Sequence, residues 1–274
     1  MDASNLKKFN FKFNKKYGQN FIFDQNFLRA VVDDADVKGL DVLEIGPGAG
    51  SLTYHLAQVA NKVVSYEIDE NLQPILQENL ADCHNVTIHF GDIMKQNMED
   101  IEANFEGDYV LVANLPYYIT TPIIFKFLEQ ATRLKKMIIM VQYEVALRLT
   151  AKENTADYGA ITVAIDTVAN AKILRKVKRT MFVPAPNVDS AIVEIEMCNK
   201  WDIDNKSTLD KLIKCAFAMR RKTLANNLKS SFGLSVEQIK NLLTACNLSE
   251  TIRGEALSTQ QFVELANLIK TKTL

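Results

Sequence analysis

The stretch "DVLEIGPGAGSLT", residues 41–53, decides the fold class. It joins a short apolar run to three alternating glycines and then opens a helical pattern. The run "VLEI" is typical of a strand that is covered on both faces, and the glycines allow a sharp turn close to a ligand. A strand, a glycine loop and a helix in this order predict the first unit of a doubly wound, mostly parallel α/β sheet.

Further strand candidates recur every 20 to 30 residues after this unit, separated by segments long enough for crossover helices. The run "SAIVEIEM", residues 190–197, is expected to finish the sheet as an antiparallel strand. From about Lys200 the patterns are helical alone, with Gly233 as a stop and Ser235 as an N-cap. The parallel strand candidates are "KVVSYEI" (62–68), "VTIHF" (86–90), "YVLVAN" (109–114) and "KKMIIMVQ" (135–142).

These patterns predict three regions. Residues 1–20 form a basic and aromatic N-terminal arm, residues 21–198 a Rossmann-like catalytic domain, and residues 199–274 a small all-α domain. A chain of 274 residues that is 47% hydrophobic and 24% charged can bury the cores of one large and one small domain.

Composition excludes several classes of protein. The absence of a secretory signal and of 18 consecutive apolar residues predicts a cytoplasmic protein with no membrane partner. Four cysteines without Cys-x-x-Cys spacing and three scattered histidines predict free thiols and no metal site. The lack of a heptad repeat or an apolar surface stripe predicts a monomer.

Charge is distributed unevenly along the chain. Residues 41–108 carry thirteen Asp or Glu but only two lysines. Basic residues concentrate in residues 1–20, in "KILRKVKR" (172–179) and in "RRK" (220–222), each of which could alternatively be a solvated face. Together they predict a polyanionic partner whose bases can stack on the aromatic residues of the arm. Those aromatic residues are Phe9, Phe11, Phe13 and Tyr17.

The strand ends predict a cofactor site. Glu67 follows Gly46 by 21 residues, where a carboxylate can bind both ribose hydroxyls, and Asp92 can accept from an adenine amine. The loop reads Gly-x-Gly-x-Gly, and Pro47 removes a donor that a pyrophosphate would use. This pattern favours S-adenosylmethionine over a dinucleotide. The alternative is a purely structural role, in which the glycines form tight turns and the acidic residues cap helices.

The segment "ANLPYYIT", residues 113–120, brings Asn114-Leu115-Pro116-Tyr117 to the same edge of the sheet. An adenine amine is a weak nucleophile because its lone pair is delocalised. The Asn114 carboxamide and the Leu115 carbonyl can accept hydrogen bonds from that amine, and Tyr117 can stack the base. The segment therefore predicts an amino-group methyltransferase. The alternative is that it only ends a strand and that Tyr117 packs in the hydrophobic core.

Several motifs together resemble the KsgA family of small-subunit rRNA adenine dimethyltransferases. The first three are shared with Erm-type enzymes, which methylate large-subunit rRNA, and the later ones are more specific. Two positions depart from the family pattern: Ile22, where Leu is common, and Ala225, where a basic residue is common. The motifs are "YGQNFIFD" (17–24), "EIGPGAGSLT" (44–53), "NLPYYITTP" (114–122), "FVPAPNVDSAIV" (182–193), "RRKTLANNL" (220–228) and "RGEALS" (253–258).

The resemblance implies S-adenosylmethionine-dependent dimethylation of two adjacent adenines in the 3'-terminal hairpin loop of 16S rRNA, with S-adenosylhomocysteine as product. The target would be the immature 30S subunit, and Phe182 would stack the base opposite Tyr117. The alternatives are an Erm-type 23S rRNA enzyme, a nicotinamide-dependent dehydrogenase and a non-catalytic assembly factor. The implied cofactor contacts are Asn20, Ile22, Gly46, Glu67, Asp92 and Asn114, and the glycine-loop pattern adds Gly48 to the predicted cofactor site. The predicted RNA contacts are Lys15, Lys16, Arg175, Lys176, Arg179, Arg220, Arg221 and Lys222.

Overall fold

The computed structural model describes residue 6 and residues 8–14, 17–219 and 221–272, without the side chains of residues 270–272. Three predicted RNA contacts, Lys15, Lys16 and Arg220, lie outside these described residues. The chain divides into two compact units. One is formed by Met1–Ala146 and Lys172–Met197, the other by Leu147–Ala171 and Cys198–Leu274.

The strands form a large sheet and a short two-stranded sheet. In chain order they are β1 (Phe21–Ile22), β2 (Asp41–Ile45), β3 (Lys62–Glu67), β4 (Val86–Phe90), β5 (Tyr109–Asn114), β6 (Leu134–Gln142), β7 (Ala169–Val177), β8 (Phe182–Val183) and β9 (Ser190–Met197). The large sheet has seven strands in the order β4-β3-β2-β5-β6-β9-β7, and β1 pairs with β8. Strands β2 to β6 pair in parallel, whereas β9 is antiparallel to β6.

Helices follow most of these strands. In chain order they are α1 (Gln25–Ala35), α2 (Ser51–Ala57), α3 (Gln73–Asn79), α4 (Met98–Glu102), α5 (Thr120–Gln130), α6 (Tyr143–Leu149), α7 (Ala160–Asp166), α8 (Lys206–Ala218), α9 (Leu224–Phe232), α10 (Val236–Ala245) and α11 (Thr259–Lys272). Helix α1 begins after Asp24, whose side chain accepts from the Phe27 N–H over 2.9 Å, a local N-cap. It ends at Asp36 in a left-handed conformation.

The core of the first unit lies around the central strands. Strands β2 and β5 are buried along almost their whole length, as their continuous apolar runs predict for strands covered on both faces. On one face, the α1 residues Leu28 and Val31 pack in a cluster with Val42 of β2 and Val110 of β5. Parallel pairing of β2 to β6 places the carboxyl ends of these strands at one edge, where Glu67, Asp92 and Asn114 lie.

The second unit has a core of its own. Helices α8 to α11 contribute buried side chains such as Leu212, Leu242 and Phe262. Tyr158 and Val163 belong to the same core, and the Tyr158 hydroxyl donates to the Leu257 carbonyl over 2.6 Å. Residues 147–171 therefore belong to the second unit, whereas the sequence pattern predicts one domain over residues 21–198.

The predicted fold class is confirmed. The sheet is mostly parallel, and the helical region follows it. Strand β9 is antiparallel to β6 as expected, but β7 and not β9 lies at that end of the sheet. Helix α9 ends at Gly233 in a left-handed conformation, and Ser235 caps α10 in a capping box with Gln238, as expected. Within the described ranges, no helix is both long enough and apolar enough to cross a bilayer.

Candidate active site

Glu67 ends β3 as a buried carboxylate held by two backbone donors. Its Oε2 accepts from the Gly48 N–H over 3.0 Å, and its Oε1 accepts from the Asp69 N–H over 2.9 Å. Burial raises the pKa of Glu67, while these hydrogen bonds oppose the rise by favouring the ionised form. Each carboxylate oxygen has a second lone pair, so Glu67 can also accept from two hydroxyls of a ligand.

The glycine loop after β2 uses its backbone donors within the protein. Gly46 donates to the Tyr66 carbonyl and Gly50 to the Pro47 carbonyl, both over 2.9 Å. The Gly48 donor is taken by the Glu67 carboxylate, and Pro47 has no N–H. These donors are the groups that would bind a pyrophosphate, so the loop does not fit a dinucleotide.

The backbone conformation and packing of this loop require glycine at two positions. Gly46 and Gly48 lie at φ values of 71° and 59°, in the left-handed region that favours glycine. A Cβ atom at Gly48 would lie 2.8 Å from the Phe21 ring. The loop can therefore approach the N-terminal segment closely only because residue 48 has no side chain.

Asp92 follows β4 and caps a 3-10 turn, Ile93–Lys95. Its Oδ1 accepts from the Met94 N–H over 2.9 Å, so Oδ2 is the oxygen available to a ligand. The same turn is held by Lys126, which is 8% exposed and donates to the carbonyls of Met94 and Gln96. Burial lowers the pKa of Lys126. The position of Asp92 is thus fixed by its hydrogen bond from the Met94 N–H and by the Lys126 ammonium, which binds two carbonyls of the same turn.

Asn114, the last residue of β5, has a defined carboxamide orientation. Its Nδ2 donates to the backbone carbonyl of Asn20 over 2.9 Å. A carbonyl oxygen only accepts, so the amide nitrogen must face Asn20, and Oδ1 is left as the acceptor on the other side of the group. This orientation is the one that a hydrogen-bond acceptor for an amine requires.

Tyr117 is anchored by its hydroxyl. It shares a 2.8 Å hydrogen bond with Ser190, which is buried at the start of β9. Burial raises the pKa of Tyr117, so its phenol stays protonated at neutral pH. The preceding Pro116 carbonyl accepts from the Ile119 N–H and the Thr120 hydroxyl, each over 3.1 Å, and thereby closes the turn into α5.

One cavity brings most of the predicted residues together. The predicted residues that line it are Asn20, Gly46, Gly48, Glu67, Asp92, Asn114, Leu115, Pro116 and Tyr117. Among the described residues, no group of three or more His, Cys, Asp or Glu side chains is arranged to hold a metal ion.

Two residues predicted to bind the cofactor or the target base do not line this cavity. Ile22 lines a smaller neighbouring cavity with Glu44, Gly46 and Asn114. Phe182 is 3% exposed, pairs with Ile22 between β8 and β1, and packs in the core of the first unit. The predicted stacking of a base by Phe182 is therefore not supported by this geometry, because hydrophobic packing already buries the ring.

The basic residues differ in their availability. Asp34 binds the Arg175 guanidinium through both oxygens, with Nη2 to Oδ1 at 2.7 Å, so a phosphate contact by Arg175 is not supported either. Lys176 is exposed, 3.2 Å from Asp189. The remaining described candidates, Arg179 in the first unit and Arg221 and Lys222 in the second, are exposed.

The aromatic residues of the N-terminal arm have a structural use. Phe9, Phe11 and Phe13 pack against an apolar cluster that includes Phe21 and residues of α3. Phe13 and Phe21 lie with ring centroids 5.4 Å apart. These three rings are therefore packed within the first unit, whereas the sequence pattern predicts rings that are free to stack bases.

Sequence reasoning missed several residues of the site. Glu44, 1% exposed, lines the neighbouring cavity, and burial raises its pKa to about 7. Tyr118, which is 58% exposed, lines the main cavity together with Tyr17 and Gln19. Repetition of tyrosine in "PYY" was the one available signal for Tyr118, whereas nothing in the sequence marked Gln19 apart from its place in "GQNF".

Comparison with known proteins identifies the family. The model of the family described as ribosomal RNA adenine dimethylase matches residues 10–271. The chain belongs to the ribosomal RNA adenine dimethylase family. It is 41% identical over 272 residues to "Ribosomal RNA small subunit methyltransferase A" of Clostridioides difficile, covering 97% of this chain and 94% of that protein. Other bacterial relatives that are 40–43% identical carry the same name.

Solved structures agree with this assignment to the ribosomal RNA adenine dimethylases. A dimethyladenosine transferase from Plasmodium falciparum is 25% identical, with a TM-score of 0.78 over 93% of this chain and 98% of that one. The 23S rRNA methyltransferase ErmE is 24% identical, with a TM-score of 0.71 over 92% of this chain and all of ErmE, and this likeness shows the fold alone. The predicted enzyme class, an rRNA adenine dimethyltransferase, is confirmed, and a dehydrogenase is not supported.

Proposed function

We propose that this chain dimethylates the N6 amines of two adjacent adenosines in the 3'-terminal hairpin loop of 16S rRNA. S-adenosylmethionine is the proposed methyl donor, with S-adenosylhomocysteine as product and no metal. The proposed target is the immature 30S subunit in the cytoplasm, and the enzyme acts as a monomer. Support for a small-subunit target comes from the relatives named as small-subunit methyltransferases, each at 40% identity or more.

The observation that carries the proposal is the placement of the Asn114 carboxamide. Its Nδ2 is bound to the Asn20 carbonyl, and the residue lines the same cavity as Glu67 and Asp92. An amine acceptor of fixed orientation therefore lies beside two carboxylates suited to a nucleoside. This combination fits transfer to an amine better than the transfer of a hydride.

The cavity fits the proposed cofactor on chemical grounds. Glu67 has lone pairs left for the ribose hydroxyls, and Asp92 has Oδ2 for the adenine amine. The loop withholds the donors that a pyrophosphate would need, and S-adenosylmethionine has no phosphate. When bound, S-adenosylmethionine supplies an electrophilic methyl group.

The target adenine is held by the segment from Asn114 to Tyr117. The Asn114 Oδ1 and the Leu115 carbonyl accept the two amine hydrogens and so favour a pyramidal nitrogen. The Tyr117 ring, anchored through Ser190, offers a face for the base, and such stacking contributes about 1–3 kcal/mol. No general base is required, because the amine needs to release a proton only after it has gained positive charge.

Methyl-group transfer from labelled S-adenosylmethionine tests the proposal. We expect label in undermethylated small subunits and none in naked large-subunit rRNA. Exclusive labelling of the large-subunit rRNA would support an Erm-type enzyme instead. Binding of RNA without transfer to either substrate would indicate a non-catalytic assembly factor, and calorimetric binding of NADH but not of S-adenosylmethionine would contradict the cofactor.

A further inference from the structure

The Gln19 carboxamide connects the N-terminal segment to the cofactor side of the cavity. Its Oε1 accepts from the Asn14 N–H over 2.7 Å, and its Nε2 donates to Asp69 Oδ2 over 2.7 Å. Asp69 is 2% exposed, and its own N–H donates to Glu67 Oε1 over 2.9 Å. Three hydrogen bonds therefore run without a break from the backbone of residue 14 to the carboxylate of residue 67.

Asp69 is held so that a change at Gln19 reaches Glu67. The second oxygen of Asp69, Oδ1, accepts from the Asn71 N–H over 3.2 Å and from the Asn71 Nδ2 over 2.7 Å. These two bonds keep Oδ2 directed at Gln19 rather than at another partner. Because a buried acceptor that loses its donor is costly, loss of the Gln19 contact would displace Asp69 and the bond that it makes to Glu67.

The residue after Gln19 acts on the other side of the cavity. The Asn20 carbonyl accepts from Asn114 Nδ2, so two consecutive residues reach the Glu67 side and the Asn114 side. A displacement of this short segment would change the position of Glu67, which is proposed to bind the cofactor, and of Asn114, the proposed acceptor for the amine. Residues 19 and 20 are thus the common support for the two halves of the site.

The N-terminal segment is seated on the same unit by contacts independent of Gln19. Phe11 and Phe13 pack against the apolar cluster that includes Leu72 and Leu76. Lys8 forms an ion pair with Glu78 of α3 at 2.6 Å. The segment is therefore held in a defined position on the first unit, and the hydrogen bonds of Gln19 connect it to the cavity.

We propose that Gln19 is a positioning residue that couples the packing of residues 8–14 against the first unit to the affinity for the cofactor. The proposal rests on the proposed function in one respect, namely that Glu67 binds S-adenosylmethionine. Coupling of this kind is reciprocal, so bound cofactor also stabilises the seated N-terminal segment. We expect a coupling of about tenfold in affinity, near the low end of the usual range.

Exchange of donor and acceptor tests the connection directly. Gln19→Glu keeps the acceptor for Asn14 but places a second carboxylate against Asp69, and Asp69→Asn removes the acceptor that Gln19 needs. Each single variant is expected to bind S-adenosylmethionine about tenfold more weakly by calorimetry, with a raised KM and little change in kcat. The double variant restores the hydrogen bond between residues 19 and 69 with donor and acceptor exchanged, so its affinity should return to within about threefold of wild type.

Proteolysis supplies a second readout on the full-length protein. S-adenosylhomocysteine should slow tryptic cleavage after the exposed Lys12 in the wild type and the double variant, but not in the single variants. Gln130→Glu, an exposed change of the same chemistry at the end of α5, serves as the control and should behave as wild type. Wild-type affinity in both single variants, or a double variant as weak as the singles, would overturn the coupling. Failure of the wild type to bind S-adenosylmethionine would instead overturn the proposed function.

Discussion

Asn114 and Asn20 are joined by a hydrogen bond of 2.9 Å between the Asn114 side chain and the Asn20 backbone carbonyl, although they are 94 residues apart. The contact connects the end of the fourth parallel strand to the segment "GQNF". It fixes the orientation of the Asn114 carboxamide, because the carbonyl accepts only from the amide nitrogen and Oδ1 is left as an acceptor. The proposed chemistry depends on this orientation.

Substitution of Asn114 tests its proposed role. Asn114→Ala removes the acceptor for the amine, and we expect kcat to fall by about 100- to 1,000-fold at saturating cofactor, as for the loss of one preorganised polar group. RNA affinity should remain near wild type. Labelled methyl transfer and filter binding measure the two quantities.

The control for this variant is Asn61→Ala. Asn61 is exposed and precedes β3, so it lies at the opposite edge of the sheet from the site. The Asn61→Ala variant should retain wild-type turnover. Unchanged turnover in Asn114→Ala would remove Asn114 from the mechanism.

Two substitutions of Tyr117 separate its ring from its hydroxyl. Tyr117→Ala removes the stacking face and is expected to lower kcat/KM for RNA by about 5- to 150-fold, the equivalent of 1–3 kcal/mol. Tyr117→Phe keeps the ring and loses only the bond to Ser190, worth about 1 kcal/mol, so its loss should be smaller than that of Tyr117→Ala, which removes both. Steady-state kinetics with small subunits compare them, and equal losses in both variants would contradict a stacking role.

Lys126 is predicted to support the Asp92 side of the cofactor site. Lys126→Met leaves the Met94 and Gln96 carbonyls without their ammonium donor, so the turn after Asp92 should loosen. We expect the Kd for S-adenosylmethionine to rise by about tenfold, in line with the loss of a charged hydrogen bond. Calorimetry measures the change, and exposed Lys135→Met is the matched control. Equal affinities for both variants would rule out this support.

The parallel strands and the residues at their carboxyl ends could be predicted from sequence because both depend on local patterns. Continuous apolar runs predict β2 and β5, and the parallel order brings Glu67, Asp92 and Asn114 to one edge. These residues line one cavity, as expected. Such inference needs only the position of each residue relative to the end of its own strand.

Long-range contacts were beyond sequence reasoning. The bidentate ion pair between Arg175 and Asp34 spans 141 residues, and no local pattern marks Asp34 as the partner. Phe182 occurs in a family motif, but its burial depends on pairing with Ile22. Tyr158 and Val163 enter the core of the second unit, and their apolar side chains alone do not reveal from sequence which core they join.

Glu44 gives the protein a predicted pH dependence of stability. Burial raises its pKa from 4.5 to about 7, although Ser65 donates to the carboxylate over 2.8 Å. Between these values the folded chain holds a proton that the unfolded chain releases, so the contribution of Glu44 to stability falls as the pH rises through this window. The stabilisation is complete below pH 4.5 and lost above about pH 7.

Glu44→Gln removes this titration. The free energy of unfolding of the variant relative to wild type should therefore increase by roughly 3 kcal/mol from pH 4 to pH 8. Urea denaturation at several pH values measures the difference. A difference that does not vary with pH would show that Glu44 has an ordinary pKa in the folded protein.

The central claim is the identity of the modified nucleotides. Undermethylated small subunits are incubated with the enzyme and S-adenosylmethionine, and the methylated nucleotides are mapped by mass spectrometry. We predict N6,N6-dimethyladenosine at two adjacent positions in the 3'-terminal hairpin loop of 16S rRNA, and nowhere else. Methylation at other nucleotides, or of a single adenosine that never gains a modified neighbour, would contradict the account.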